Sequence, residues 1–245
     1  MSTSTVACIV VAAGRGERLG AGRPKAFIEI GDRTPLEHVA ATLARGLTIG
    51  HLVAVVPPDL VAEARRLLAV AGPPGSAADM QVTIVPGGDT RQASVAAGLA
   101  VLHDTDDIVL VHDAARCLTP PDVYDRVVTA VRHGHDAVVP TLPVVDTIKR
   151  VAGGVVAETI DRGDLRIVQT PQGFRRHVLV AAHEAAGERP AEAATDDAGL
   201  VERIGVPVHV VEGDDRALKI TRPFDLTVAG ALAVGVAVHP EEASR

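Results

Sequence analysis

The sequence predicts an α/β protein: a Rossmann-like, mostly parallel sheet flanked by helices, with a projecting β-arm. Three observations carry that expectation. Short β-branched runs alternate with helical patterns, as in parallel strands joined by helical crossovers. The first run, at 6–11, ends directly in a loop containing Gly14 and Gly16. The alternation then breaks within 142–168, where two strand-like runs flank Gly153 and Gly154, a hairpin signal.

The apolar run at 6–11 gives the first strand. The segment around it resembles the apolar part of a signal peptide, but no basic stretch precedes it and it leads straight into the glycine loop. A helix is expected over 35–45. Thr34 and Glu37 form a capping-box pattern, Pro35 takes the first helical position and Gly46 closes the helix. A second strand at 51–56 is followed by helical periodicity over 59–71, stopped by Gly-Pro-Pro-Gly at 72–75. A strand at 81–85, a helix at 91–102 and a strand at 108–112 come next. Pro120 and Pro121 open a helix ending near His133, before a fifth strand at 137–139. The hairpin runs are 147–151 and 155–159. After it come a helix from about 175, another near 195, a strand at 206–211 and a last helix after Pro223. The stretch 226–238 is too short to cross a bilayer and is broken by glycines, so it reads as a core helix. The organisation is one α/β domain formed by 1–141 and 169–238, an inserted arm at 142–168 and a frayed tail at 239–245. A hairpin alone is marginally stable, so the arm is expected to pack on a second subunit.

Apolar residues make up 47% of the 245, enough for a sizeable core. Aromatics are only 2%, so Val, Ala, Leu and Ile must fill it, and few rings remain to stack on unpaired bases. A net charge of −7 also argues against a nucleic-acid partner. Cys8 lies in the apolar run and Cys117 far from it, which makes neither a disulfide framework nor a metal quartet and suits a reducing, cytoplasmic setting.

Three segments could carry chemistry. In the loop from Ala12 to Leu19, small residues let backbone N–H groups approach a triphosphate, and Arg18 and Lys25 bring two cations. It is neither a Walker loop, which needs Gly-Lys-Ser/Thr, nor a dinucleotide fingerprint, which needs a third glycine. The second segment, Pro86 to Val95, joins a strand end to a helix, and there Gly88 and Ser94 can offer an N–H and a hydroxyl to a base or ribose. In the third, Asp113 could take a divalent cation or a substrate hydroxyl, and Arg116 a phosphate. Each segment also has a plain reading: a glycine turn, an N-cap, an Asp–Arg pair closing a loop.

Together these segments resemble the 2-C-methyl-D-erythritol 4-phosphate cytidylyltransferase family. The matching residues are the Ala-Ala-Gly loop with Pro24 and Lys25, the Gly87-Gly88 block with Arg91 and Ser94, and the run from His112 to Arg116. They continue with Asp146, Thr147, Ile148 and Lys149, with Asp161 and Arg162, and with Thr170, Pro171, Gln172 and Phe174. The last blocks are Thr195, Asp196, Asp197 and Ala198, then Lys219, Ile220 and Thr221 with Pro223 and Asp225. The first loop is shared by many sugar-nucleotide transferases; the ordered set is specific. Cys117 stands where the family commonly has Pro, and Ala217 where it often has Asn.

The resemblance implies a CTP-dependent enzyme that transfers CMP from CTP to 2-C-methyl-D-erythritol 4-phosphate, giving CDP-methylerythritol and pyrophosphate, by in-line attack of the sugar phosphate without a general base. It implies Arg18, Lys25, Arg162 and Lys219 as the catalytic cations. Ala12, Ala13, Gly14, Gly16, Gly88, Asp89, Ser94 and Ala114 would hold CTP. Asp113, Arg116, Thr147 and Thr170 would contact the second substrate, with Thr147 and Arg162 coming from a partner's arm in a homodimer. Mg²⁺ would be held mainly by the CTP phosphates, with Asp113 as its protein ligand. A pentitol-phosphate enzyme of the same family, acting for instance on ribitol 5-phosphate, fits the same motifs. A dinucleotide oxidoreductase fits worse, because no acidic residue ends the second strand. A non-catalytic nucleotide-binding module leaves the four cations unexplained.

Overall fold

The computed structural model describes residues 5–16, 22–45, 49–70, 80–187 and 194–235. The described residues form ten strands and seven α-helices. The strands are β1 (Thr5–Val11), β2 (Ile49–Val56), β3 (Gln81–Pro86), β4 (Asp106–Asp113), β5 (Ala137–Pro143), β6 (Ile148–Ala152), β7 (Val155–Ile160), β8 (Arg166–Val168), β9 (Gln172–Arg175) and β10 (Val208–Glu212). The helices are α1 (Pro35–Leu43), α2 (Val61–Val70), α3 (Arg91–Leu99), α4 (Pro121–Arg132), α5 (Arg176–Gly187), α6 (Asp197–Arg203) and α7 (Pro223–Ala233).

The main sheet runs β10-β5-β9-β4-β1-β2-β3, with β8 paired to β5. β1, β2, β3 and β4 are mutually parallel, as are β5 and β10. β9 lies antiparallel between β4 and β5. The chain leaves β1 in one direction to β2 and β3, then returns to the other side at β4. That makes the β1–β4 junction a topological switch point, where a crevice opens at the carboxyl ends of the strands.

Strand alternation divides the core. In β1, Val6, Cys8 and Val10 face a cluster built with Leu36 and Leu43 of α1 and with Tyr124, Val127 and Val131 of α4. Ala7 and Ile9 face the opposite cluster, with Val95 of α3, Leu179 of α5 and Val201 of α6. Both faces of β1 are covered, which is why its sequence is continuously apolar. Phe27, Tyr124 and Phe174 are fully buried, so three of the four aromatic rings serve the core.

Local signals hold. The Thr34 side chain accepts from the Glu37 amide while Glu37 reaches back to the Thr34 amide, so α1 begins on a true capping box. Gly46 and the breaker at 72–75 lie outside the described residues. Gly153 and Gly154 take φ of 55° and 79°, the conformation a two-residue hairpin turn requires. Two expectations shift. Leu142 and Pro143, and the whole of β8, pair within the main sheet, so the part detached from it is 144–165. α7 is not a core helix, because only Ala229 is fully buried and Phe224 is 75% exposed. It is apolar on all sides yet rests on the surface along one line, so hydropathy alone overstated its burial.

The amino ends of the strands, away from the crevice, are tied by a buried polar chain. Thr5 Oγ1 donates to Asp106 Oδ1 at 2.9 Å, and His51 Nδ1 meets Asp106 Oδ2 at 2.9 Å. The His103 amide donates to the same Oδ2 at 2.8 Å, and His51 Nε2 contacts Thr83 Oγ1 at 2.9 Å. Burial pushes the Asp106 carboxyl up, but the bonds from His51, the His103 amide and Thr5 hold it below its ordinary value.

Candidate active site

Two adjoining clefts open at the carboxyl ends of β1, β3 and β4. The larger is about 510 Å³, within the range of small-molecule sites. Its lining includes Arg15, Gly16, Pro57, Asp59, Gly87 and Thr221. The smaller is about 200 Å³ and includes Arg91, Ser94, Asp113, Ala115 and Lys219. Ala13, Gly14, Lys25, Gly88 and Asp89 line both, so Lys25 stands at their junction.

The backbone demands small residues here. Gly16 has φ of 69° and packs against the Lys25 backbone, so a side chain there would be strained and would crowd the lysine. A Cβ on Gly87 would meet Ala13 Cβ, and would stand 2.9 Å from Ser94 Oγ and 3.3 Å from Val55 Cγ1. The loops after β1 and β3 can approach this closely only because residue 87 has no side chain. Ser94 itself is buried, and its hydroxyl donates to Thr90 O at 2.9 Å, which holds it inside the first turn of α3.

Asp113 ends β4 and gathers the charges of the smaller cleft. Lys219 Nζ donates to its Oδ2 at 2.7 Å, and Arg91 Nε approaches its Oδ1 at 3.4 Å. Burial pushes this carboxyl up, but the charges of Arg91 and Lys219 outweigh it and hold Asp113 far below the usual carboxylate range. Thr170 Oγ1 accepts from the Asp113 amide at 3.1 Å and contacts His112 Nδ1 at 3.0 Å. Burial depresses His112 to about 4, so the ring is neutral and serves as packing behind Asp113, against Tyr124.

Lys219 is placed by its backbone. The Ile220 amide donates to Ala115 O at 2.8 Å, and Arg116 Nη1 donates to Ala217 O at 2.7 Å. A second Arg116 nitrogen donates to Val168 O at 3.2 Å. Arg116, expected from sequence to bind substrate, thus clamps the Lys219 segment onto the end of β4 and is absent from the lining of either cleft. The bond it makes to residue 217 goes to the carbonyl, so the Ala side chain found there costs this contact nothing. Cys117 packs in the core beneath the site, its thiol pushed up to about 12 by burial.

The other expected residues divide. Ala13, Gly14, Gly16, Lys25, Gly88, Asp89, Ser94, Asp113 and Lys219 line the clefts. Ala12 and Ala114 are buried just behind them, and Thr170 supports Asp113. Thr147 and Arg162 are exposed at the base of the arm, and Arg162 Nη1 donates to Val145 O. They line neither cleft within one subunit. Arg18 lies outside the described residues. Sequence reasoning assigned no role to Gly87, Arg91 or Asp197, although all three sit in blocks it singled out; only the fold brings Asp197 within 2.6 Å of Arg91.

A glycine-rich loop after the first strand of a 3-2-1-4 parallel sheet, beside a nucleotide-sized cleft with Lys25 on its wall, is the arrangement of an α/β nucleotide-binding protein. Comparison with known proteins narrows it. The profile of the 2-C-methyl-D-erythritol 4-phosphate cytidylyltransferase family matches residues 6–234, and the chain belongs to that family. The protein of that name from Nocardia farcinica is 50% identical over 231 residues, covering 93% of this chain and 94% of its own. The one from Rhodococcus jostii is 49% identical over 228 residues, with the same coverage. Among solved structures, the 2-C-methyl-D-erythritol 4-phosphate cytidylyltransferase of Thermus thermophilus superposes with a TM-score of 0.75 at 37% identity, over 94% of this chain and 99% of that one. The 4-diphosphocytidyl-2C-methyl-D-erythritol synthase of Anaerococcus prevotii gives 0.81 at 27% identity, over 94% and 96%. The chain is therefore an enzyme, a CTP-dependent cytidylyltransferase.

Proposed function

We propose that the protein transfers CMP from CTP to 2-C-methyl-D-erythritol 4-phosphate, giving CDP-methylerythritol and pyrophosphate, as a cytoplasmic homodimer. The observation that carries this reading is the pair of joined clefts with Lys25 lining both and Lys219 lining the smaller one. CTP lies along the larger cleft, its triphosphate over the small residues of the first loop. The sugar phosphate enters the smaller cleft beside Lys219 and Asp113. Its phosphate oxygen attacks the α-phosphorus in line, and pyrophosphate leaves from the opposite side.

Both reactants are anions, so the first barrier is repulsion. Lys25, with Arg18 from the same loop, offsets the charge that grows on the α- and β-phosphates, and Lys219 draws in the attacking phosphate. That phosphate is ionised near neutral pH and needs no general base. The site supports this: Asp113 is locked in ion pairs far below neutral pH, and His112 is neutral and buried behind it. Catalysis then rests on positioning and electrostatics.

A divalent cation such as Mg²⁺ would supply charge neutralisation on the triphosphate. Among the described residues no group of three or more His, Cys, Asp or Glu could enclose a metal. Asp89 and Asp113 are the carboxylates lining the smaller cleft, which fits a cation carried mainly by nucleotide phosphates and touched by one or two carboxylates. The arm supports the dimer. Val145, Val151, Val155 and Val156 on it are all more than half exposed, and an isolated hairpin with such a surface is not stable alone. Thr147 and Arg162 would complete the partner's site from there.

The test is pyrophosphate release with each of the four nucleotides against methylerythritol phosphate and ribitol 5-phosphate, with and without EDTA. The reading requires CTP and methylerythritol phosphate to be the best pair and EDTA to abolish turnover. Preference for ATP, faster turnover of ribitol phosphate, or full activity in EDTA would overturn the corresponding part.

A further inference from the structure

A line of polar contacts runs from α5 into the smaller cleft. His183 of α5 meets Asp197 Oδ1 through Nε2 at 2.9 Å. Arg91 Nη1 donates to Asp197 Oδ2 at 2.6 Å, while its Nε faces Asp113. Asp113 in turn holds Lys219. Asp197 has no exposed surface and lines neither cleft, so it touches no substrate. It is also fixed from outside the line. Asp196 caps α6 by accepting from the Gly199 amide at 3.0 Å, and Gln172 of β9 bonds both Asp196 and the Ala198 amide. The paired aspartates therefore split their work: Asp196 builds the helix end, and Asp197 is left aimed at Arg91.

We propose that Asp197 and Arg91 are positioning residues for the transfer reaction, acting through Asp113 to set where Lys219 meets the incoming sugar phosphate. The inference rests on the functional reading above and adds to it Asp197, buried behind the smaller cleft, and Arg91, which lines that cleft and links Asp197 to Asp113. The charge count gives the reason. Arg91 and Lys219 supply two cations, Asp113 and Asp197 two anions. With Asp197 present, Arg91 is shared between two carboxylates and leaves Asp113 Oδ2 to Lys219. Without that charge Arg91 has a single anionic partner, Asp113, and competes with Lys219 for it. Burial works against the charge of Arg91, and the two carboxylates more than restore it, so the arginine stays ionised and must find an anion. Its two contacts use different nitrogens of one planar fork, which a lysine ammonium cannot reproduce.

The experiment uses Asp197→Asn and Arg91→Lys in the intact enzyme, with two readouts. The first is steady-state kinetics in each substrate. The KM for the sugar phosphate should rise by about tenfold or more, since misplacing a binding group by about 1 Å can cost ~10²-fold, while the KM for CTP should change by less than about twofold. The second is the rate at which acetic anhydride labels Lys219 in the substrate-free protein, followed by mass spectrometry. That rate should rise several-fold in Asp197→Asn as Lys219 loses its partner. A fall in activity equal for both substrates, tracking loss of folded protein in thermal melts, with Lys219 labelling unchanged, would overturn the proposal. If Asp197→Asn fails to fold, Arg91→Lys decides by the same measurements. If the wild-type chain transfers no CMP to a sugar phosphate, the functional reading fails by itself, and the labelling result still decides whether Asp197 controls Lys219.

Discussion

Gly87→Ala should damage the enzyme through one added methyl group. The new Cβ would overlap Ala13 Cβ, approach Ser94 Oγ to 2.9 Å and Val55 Cγ1 to 3.3 Å. Carbon atoms prefer about 3.5–4.0 Å, so the loops after β1 and β3 must part by roughly 1 Å. The Gly87 amide is tied to Val56 O at 2.8 Å, so the strain falls on the first loop, which the proposal gives to the triphosphate. Overpacking of this kind costs about 1–3 kcal/mol, a shift of roughly 2–12 °C in melting temperature for a domain of this size. The effect on function should be larger, because a displacement of about 1 Å at a reacting group costs on the order of 10²-fold. The measurement is kcat/KM for CTP by pyrophosphate release at a temperature where the variant is fully folded. Adding Ala13→Gly removes the nearest atom and should restore roughly tenfold or more of the loss, as coupled neighbours do. Activity within twofold of wild type in Gly87→Ala, or no recovery on adding Ala13→Gly, would refute the claim that loop contact sets the nucleotide site.

Lys25→Ala should lower kcat by about 10²-fold or more with little change in the KM for CTP, because its charge acts on the transition state; a change confined to KM would make it a binding group. Mixing Lys25→Ala with Arg162→Ala should regenerate up to about half of wild-type activity per mixed dimer, because a two-fold interface leaves one site with neither defect; no recovery after verified subunit exchange would place both residues in the same subunit's site. Asp106→Ala should remove one hydrogen bond each from the Thr5 hydroxyl, which keeps Thr105 O, the His51 ring, which keeps Thr83 Oγ1, and the His103 amide, and cost about 3 kcal/mol, at roughly 1 kcal/mol per lost bond, with kcat unchanged in the folded fraction. Because the folded Asp106 carboxyl titrates below its unfolded value near 3.9, its contribution is present above that pH and fades as pH falls through the folded value. Equal melting temperatures for wild type and Asp106→Ala at pH 7 would refute this.

Much of the fold was legible because its signals are local. The first strand, the capping box of α1, the proline starts of α4 and α7 and the glycine turn of the arm depend on neighbours within a few residues, and the sequence carries those neighbours. The antiparallel β9 was not legible. Its four residues Gln-Gly-Phe-Arg show no strand pattern, and they form a strand because β4 and β5 leave a gap with unpaired backbone between them. The ends of the arm shifted for the same reason, since β8 is a strand only through its pairing with β5.

In the site, the residue types were readable and their jobs were not. The glycines, Lys25, Asp113 and Lys219 stand out as motif members, because loop conformation and charge are properties of short segments. Arg116 and Asp113 share one motif, yet one clamps backbone and the other collects cations. Asp197 sits 106 positions from Arg91 along the chain and 2.6 Å from it in space. Sequence alone determined the α/β class, the loop chemistry and the family, because these are encoded in order and spacing. Only the tertiary structure decided which charges neutralise each other, because ion pairing falls off over a few ångströms and only the packed sheet brings α3, α5, α6 and the end of β4 within that range.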